Sequence, residues 1–98
     1  MSKQQEWKVR NIDFSECKYL GEMYAVLKKE LELPEWCGEN LDALWDAITG
    51  IMHTPAELRI RKSVGRKELQ EDVEEMIAMF QEAEDKYHNI TVHVIVKD

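Results

Sequence analysis

The sequence predicts an α/β domain built on a small parallel sheet, and three observations support that class. Short stretches rich in β-branched or aromatic residues, Trp7 to Asp13, Ala56 to Ile60 and Ile90 to Val96, are separated by long segments whose apolar residues recur at helical spacing. Strands that alternate with helices need crossover connections, which make neighbouring strands parallel and the crossovers right-handed. Ninety-eight residues suffice for one small core, so residues 1–98 are expected to form a single domain.

Trp7 to Asp13 mixes Trp, Val and Ile with polar residues in imperfect alternation and reads as the first strand. Leu20, Met23, Tyr24, Leu27 and Leu31 follow at helical spacing, so a helix is expected from about Gly21 to Leu31, with these residues in the core. Pro34 moves Leu33 out of the helical region and ends that helix, while Gly38 supplies flexibility for a tight connection. Asn40 then stands where an N-cap belongs. Leu41, Leu44, Trp45 and Ile48 follow it at offsets of three, four and seven and form one buried stripe of a second helix, which stops near Gly50.

Thr54-Pro55 breaks the chain before Ala56 to Ile60, a short strand. From about Lys67 to Asp85, Leu69, Val73, Met76, Ile77, Phe80 and Ala83 form the apolar stripe of one amphipathic helix, with Gln70 as the place where a break would fall. Ile90 to Val96 is a β-branched strand apolar enough to be central.

The charge balance narrows the class of partner. Twenty acidic residues against 13 Lys and Arg give a net charge of −7, and the pI is near 5.0. A basic partner is favoured over direct contact with nucleic acid or an anionic membrane. No apolar run approaches membrane-spanning length, and Met-Ser-Lys-Gln-Gln lacks the apolar core of a secretory signal, so a cytoplasmic protein is expected. Cys17 and Cys37 have no metal-ligand spacing and make no disulfide framework; free thiols are expected, without cofactor or metal. His93 has no suitably spaced second ligand and reads as an exposed strand residue. Arg59, Arg61, Lys62, Arg66 and Lys67 form a basic cluster, which reads as solvated or paired with a neighbouring acidic face rather than as a phosphate site.

The most informative stretch is Leu33 to Ile51. Glu39, Asp42, Asp46 and Thr49 share the helix face opposite the apolar stripe. Glu39 and Asp42 are accounted for by the unpaired N–H groups at the helix start. Asp46 lies beyond the first turn and four residues after Asp42, a like-charge spacing that costs about 0.2 to 0.5 kcal/mol in an isolated helix. No Lys or Arg occurs between Glu30 and Leu58 to offset it. A local rule broken without local gain marks a place for function, although a merely solvated acidic face explains the carboxylates equally well. Trp36 tips the balance: a large ring between Pro34 and Gly38, in a connection too short to bury it, suits an interface better than a staple on the helix start.

Pro34-Glu35-Trp36-Cys37-Gly38-Glu39-Asn40-Leu41-Asp42-Ala43-Leu44-Trp45-Asp46 resembles the defining segment of the barstar family, intracellular inhibitors of secreted ribonucleases of barnase type. Leu27-Lys28-Lys29-Glu30-Leu31, Phe80-Gln81-Glu82-Ala83 and Ile90-Thr91-Val92 extend the resemblance across nearly the whole chain. The resemblance implies a three-stranded parallel sheet packed with about four helices, and a non-catalytic protein, monomeric when free, that binds one basic ribonuclease. It places Asp46 deepest against phosphate-binding cations, with Asp42, Glu39 and Glu82 around it. Trp36 would cover a catalytic histidine or the base-binding edge, and Asn40, Leu41, Trp45, Gly50 and Ile51 would complete the contact.

Three positions depart from the family pattern. Cys37 stands where an aromatic is usual, Ile51 where a tryptophan follows the glycine, and Trp36 replaces a tyrosine. An acidic centre with altered rim residues suits a change of target within one mode of binding. Two other readings stay open: an immunity protein of this fold against a different basic toxin, and a small enzyme using Cys37 with His53, or Asp42 with Asp46.

Overall fold

The computed structural model describes residues 6–63 and 67–97. Among these residues six elements follow one another: β1 (Lys8–Asp13), α1 (Leu20–Glu30), α2 (Leu41–Gly50), β2 (Ala56–Ser63), α3 (Lys67–Tyr87) and β3 (Ile90–Lys97). The strands form one parallel sheet in the order β1-β2-β3. Register places Ala56 beside Ile90, Leu58 beside Val92 and Ile12 beside Ile60, so apolar side chains line up across one face, with the buried Arg10 beside Leu58 on β1.

That face carries the core. Ile12, Ala56, Leu58, Ile60 and Ile90 are almost wholly buried beneath Met23 and Leu27 of α1 and Met76, Ile77 and Phe80 of α3. The opposite face, bearing Val9, Asn11, Asp13, Arg59, Arg61 and His93, is exposed. Helices therefore cover one side only. This explains why β2 alternates apolar and charged residues although it is central, whereas a parallel strand covered on both faces reads as a continuous apolar run.

Two expectations are corrected here. β3 is an edge strand: Ile90 packs into the core, but Val94, Ile95 and Val96 are exposed, and its apolar character does not mark the centre of the sheet. Among the described residues there are three helices where the resemblance implies about four; α3 runs unbroken through Gln70, and residues 64–66 separate it from β2. β2 also extends beyond Ile60 to Ser63, taking Arg59, Arg61 and Lys62 of the basic cluster into a strand. Arg59 is paired with Glu57 at 2.8 Å, in keeping with a cluster that is paired or solvated; Arg66 lies outside the described residues.

Helix ends are set differently from what the glycines suggest. α1 and α3 are each followed by a non-glycine residue in the left-handed region, Glu32 at φ 55° and His88 at φ 58°. α2 runs out through Gly50 into Ile51 in right-handed geometry, with the Ile51 and Met52 N–H groups both donating to the Ala47 carbonyl at 2.9 and 2.8 Å. No helix among the described residues is long and apolar enough to cross a membrane.

Candidate partner-binding surface

α2 begins where its local chemistry requires. Asn40 is extended (φ −152°, ψ 168°), and its Oδ1 accepts a hydrogen bond from the Ala43 N–H at 2.8 Å, satisfying one of the free donors of the first turn. Leu44, Ala47 and Ile48 are buried against the core, while Leu41 and Trp45 are half-buried at its margin. The remaining face is open: Asp42, Asp46 and Gly50 are exposed, followed by exposed Ile51. Thr49 turns its hydroxyl back to the Trp45 carbonyl at 2.7 Å. Among the described residues no cation lies within ion-pair distance of Asp42 or Asp46.

The loop before α2 is anchored at its start. Leu33 N–H donates to the Lys28 carbonyl at 2.9 Å and Cys37 N–H to the Pro34 carbonyl at 3.1 Å, and the Cys37 side chain is buried. Trp36, held between these fixed points, is 76% exposed and does not staple the helix start. Gly38 serves by absence of bulk rather than by a positive φ: a Cβ there would sit 3.2 Å from the Ala43 Cβ and 3.3 Å from the Asn40 amide nitrogen.

Long-range charges shape this surface in ways that the local sequence does not display. The Lys28 ammonium on α1 lies 3.4 Å from the Glu39 carboxylate, so Glu39 is not uncompensated despite the cation-free stretch around it. Glu39 also lines a shallow groove with Tyr24, Asn40, Leu41, Asp72 and Glu75. Burial pushes the Tyr24 phenol above its ordinary value, and the negative charges of Asp72, Glu39 and Glu75 push it further. At the other margin, Lys86 of α3 lies 5.9 Å from the centre of the Trp45 ring and 5.7 Å from that of Tyr87, while the two rings stand 6.1 Å apart at 48°. Glu82 is exposed on α3, one helical turn before Lys86.

Trp36, Glu39, Asn40, Asp42, Asp46, Gly50 and Ile51 are thus all exposed along one stretch of the chain, with Leu41 and Trp45 half-buried among them. Lys28, Lys86, Tyr87, Asp72 and Glu75 escaped sequence reasoning, because nothing local connects them to α2. Buried Arg10 escaped it too. Only 5% exposed, Arg10 donates from an Nη to the Glu30 carbonyl at 3.1 Å and pairs with Glu32 at 3.4 Å, holding the end of α1 from which the loop departs. Cys37 is buried and His53 exposed, and no hydrogen bond joins them among the described residues.

Fold and surface together define a two-layer α/β domain whose exposed chemistry is a carboxylate-bearing helix face beside a loop tryptophan. The family model described as Barstar (barnase inhibitor) matches residues 7–97, and the chain belongs to the barstar family. It is also 36% identical over 50 residues to a curated protein of Bacillus subtilis (strain 168) named "Putative ribonuclease inhibitor YrdF". That match covers 51% of this chain and 55% of the relative, so the chain spans about half the length of the curated relative it matches.

Proposed function

We propose that this protein is a cytoplasmic inhibitor of a basic, secreted ribonuclease of barnase type, acting by one-to-one occlusion of the active site and not by catalysis. Asp42 and Asp46, exposed on one face of α2 without a paired cation among the described residues and close in sequence to the exposed Trp36, carry this reading. Membership of the barstar family and the printed name of the Bacillus subtilis relative support it. A ribonuclease site concentrates cations to hold phosphate, so paired carboxylates enter it as a mimic of RNA. Asp46 is assigned the deepest position, with Asp42, Glu39 and Glu82 around it. Trp36 covers the catalytic or base-binding edge, and Asn40, Leu41, Trp45, Gly50 and Ile51 complete the contact.

The test is calorimetric titration with barnase beside an RNA-cleavage assay, repeated with Asp46→Ala. Stoichiometric binding that blocks cleavage is expected, and Asp46→Ala should weaken it by roughly 2 to 5 kcal/mol, the usual cost of truncating one member of a buried charge pair. The same substitution removes the Asp42–Asp46 repulsion, so the free protein should gain about 0.2 to 0.5 kcal/mol in denaturant unfolding. A stability loss would instead assign Asp46 a structural role. A different basic toxin as target is favoured by exposed Ile51, a departure from the family pattern on the same surface. Absence of binding to barnase would select that alternative.

A further inference from the structure

Between Leu33 and Asn40 the loop's own backbone bonds, Leu33 N–H to Lys28 O and Cys37 N–H to Pro34 O, close only its first part. Among the described residues, the Lys28 side chain is what ties the part from Trp36 to Glu39 back to α1 by hydrogen bonds. The Lys28 ammonium lies 3.4 Å from the Glu35 carbonyl oxygen and 3.4 Å from a Glu39 carboxylate oxygen, acceptors that bracket Trp36 in sequence. Its side chain is only 18% exposed, which is unusual for lysine, and it lines a cleft between α1 and the loop together with Ala25, Leu33, Glu35 and Glu39.

Building on the inhibitor reading, we propose that Lys28 is a positioning residue. It clasps the loop in the shape that presents Trp36, and it partly offsets the charge of Glu39, which stays exposed at the edge of the contact, leaving Asp42 and Asp46 as the electrostatic centre. Two effects of opposite sign follow. Removing the ammonium makes the surface more negative and speeds encounter with a basic partner. It also frees the loop, which shortens the life of the complex, since ordering that was already present in the free protein must then be supplied on binding.

The experiment compares Lys28→Met and Lys28→Arg with the unaltered chain by amide hydrogen exchange of the free protein and by stopped-flow association and dissociation with barnase. In Lys28→Met the Cys37 amide should exchange about fivefold faster or more while β2 amides keep their protection. The dissociation rate should rise by a similar factor, roughly fivefold, and the low-salt association rate by about twofold. Lys28→Arg should restore slow exchange and slow dissociation. Unchanged exchange with an unchanged dissociation rate overturns the proposal, and so does a uniform acceleration across all elements, which would mark Lys28 as a contributor to global stability. Should the unaltered chain not bind barnase, the ribonuclease reading fails on its own. Exchange at Cys37 then decides the clasp: selective acceleration supports it, and none refutes it.

Discussion

Asn40 is a residue whose structural and binding roles separate cleanly. Its side chain holds the Ala43 N–H at 2.8 Å, while its own exposure leaves it available at the start of the acidic face. Asn40→Ala should lower stability by about 1 kcal/mol, the usual cost of losing an N-cap, measurable as a shift in the urea midpoint at unchanged slope. Asp42 and Asp46 behave differently because they make no such bond among the described residues. Their repulsion is a cost to the free fold that a cationic partner relieves, which is why stability and binding should move in opposite directions when one of them is neutralised.

At the scale of elements, the α1–α2 connection depends on how α1 ends. Glu32 adopts a left-handed φ of 55° without being glycine, and Arg10 of β1 ties it and the Glu30 carbonyl to the sheet. The hydrogen bond from Arg10, with the positive charges of Lys8 and Arg10 itself, holds the Glu32 carboxyl below its ordinary value. A carboxyl lowered in the folded state adds stability that is present above its unfolded-state pKa and is lost as the pH falls through the folded-state value. Glu32→Gln should therefore destabilise the protein at neutral pH, and the gap between the two unfolding midpoints should close on acidification. A gap that persists at low pH would show that Glu32 acts through backbone geometry alone. Buried Arg10, whose Nε and second Nη have no hydrogen-bond partner among the described residues, retains a desolvation cost at this junction.

For the whole molecule, the open-faced sheet puts the basic side chains of β2 and the acidic face of α2 in different layers. Arg59, Arg61 and His93 lie on the face away from the helices, and the carboxylates of α2 belong to the helical layer. With a net charge of −7, association with a basic enzyme should be steered over long range. Its rate should fall roughly tenfold or more as salt rises from about 0.01 M towards 1 M, where the screening length shrinks from about 30 Å to 3 Å. Dissociation should change far less. A stopped-flow salt series checks this, and a salt-independent association rate would remove the electrostatic basis of the proposed inhibition.

The sequence by itself determined the α/β class, the three strands, the three helical segments, the Asn40 cap and the exposure of Trp36. Each of these follows from neighbours along the chain: a 3.6-residue period, a capping side chain, or a connection too short to bury a large ring. Only the tertiary structure decided the order of the strands. The charges of β2 disguised a central strand, and the apolar run of β3 disguised an edge, because helices cover one face alone. Only the tertiary structure, likewise, distinguished one carboxylate from another. Glu39 and Asp46 look equally unpaired in the sequence, yet Lys28, eleven positions before Glu39, reaches it across the cleft between α1 and the loop and pairs with neither aspartate. Ion pairing depends on distance in space, and which distant residues share that space is set by how the elements pack.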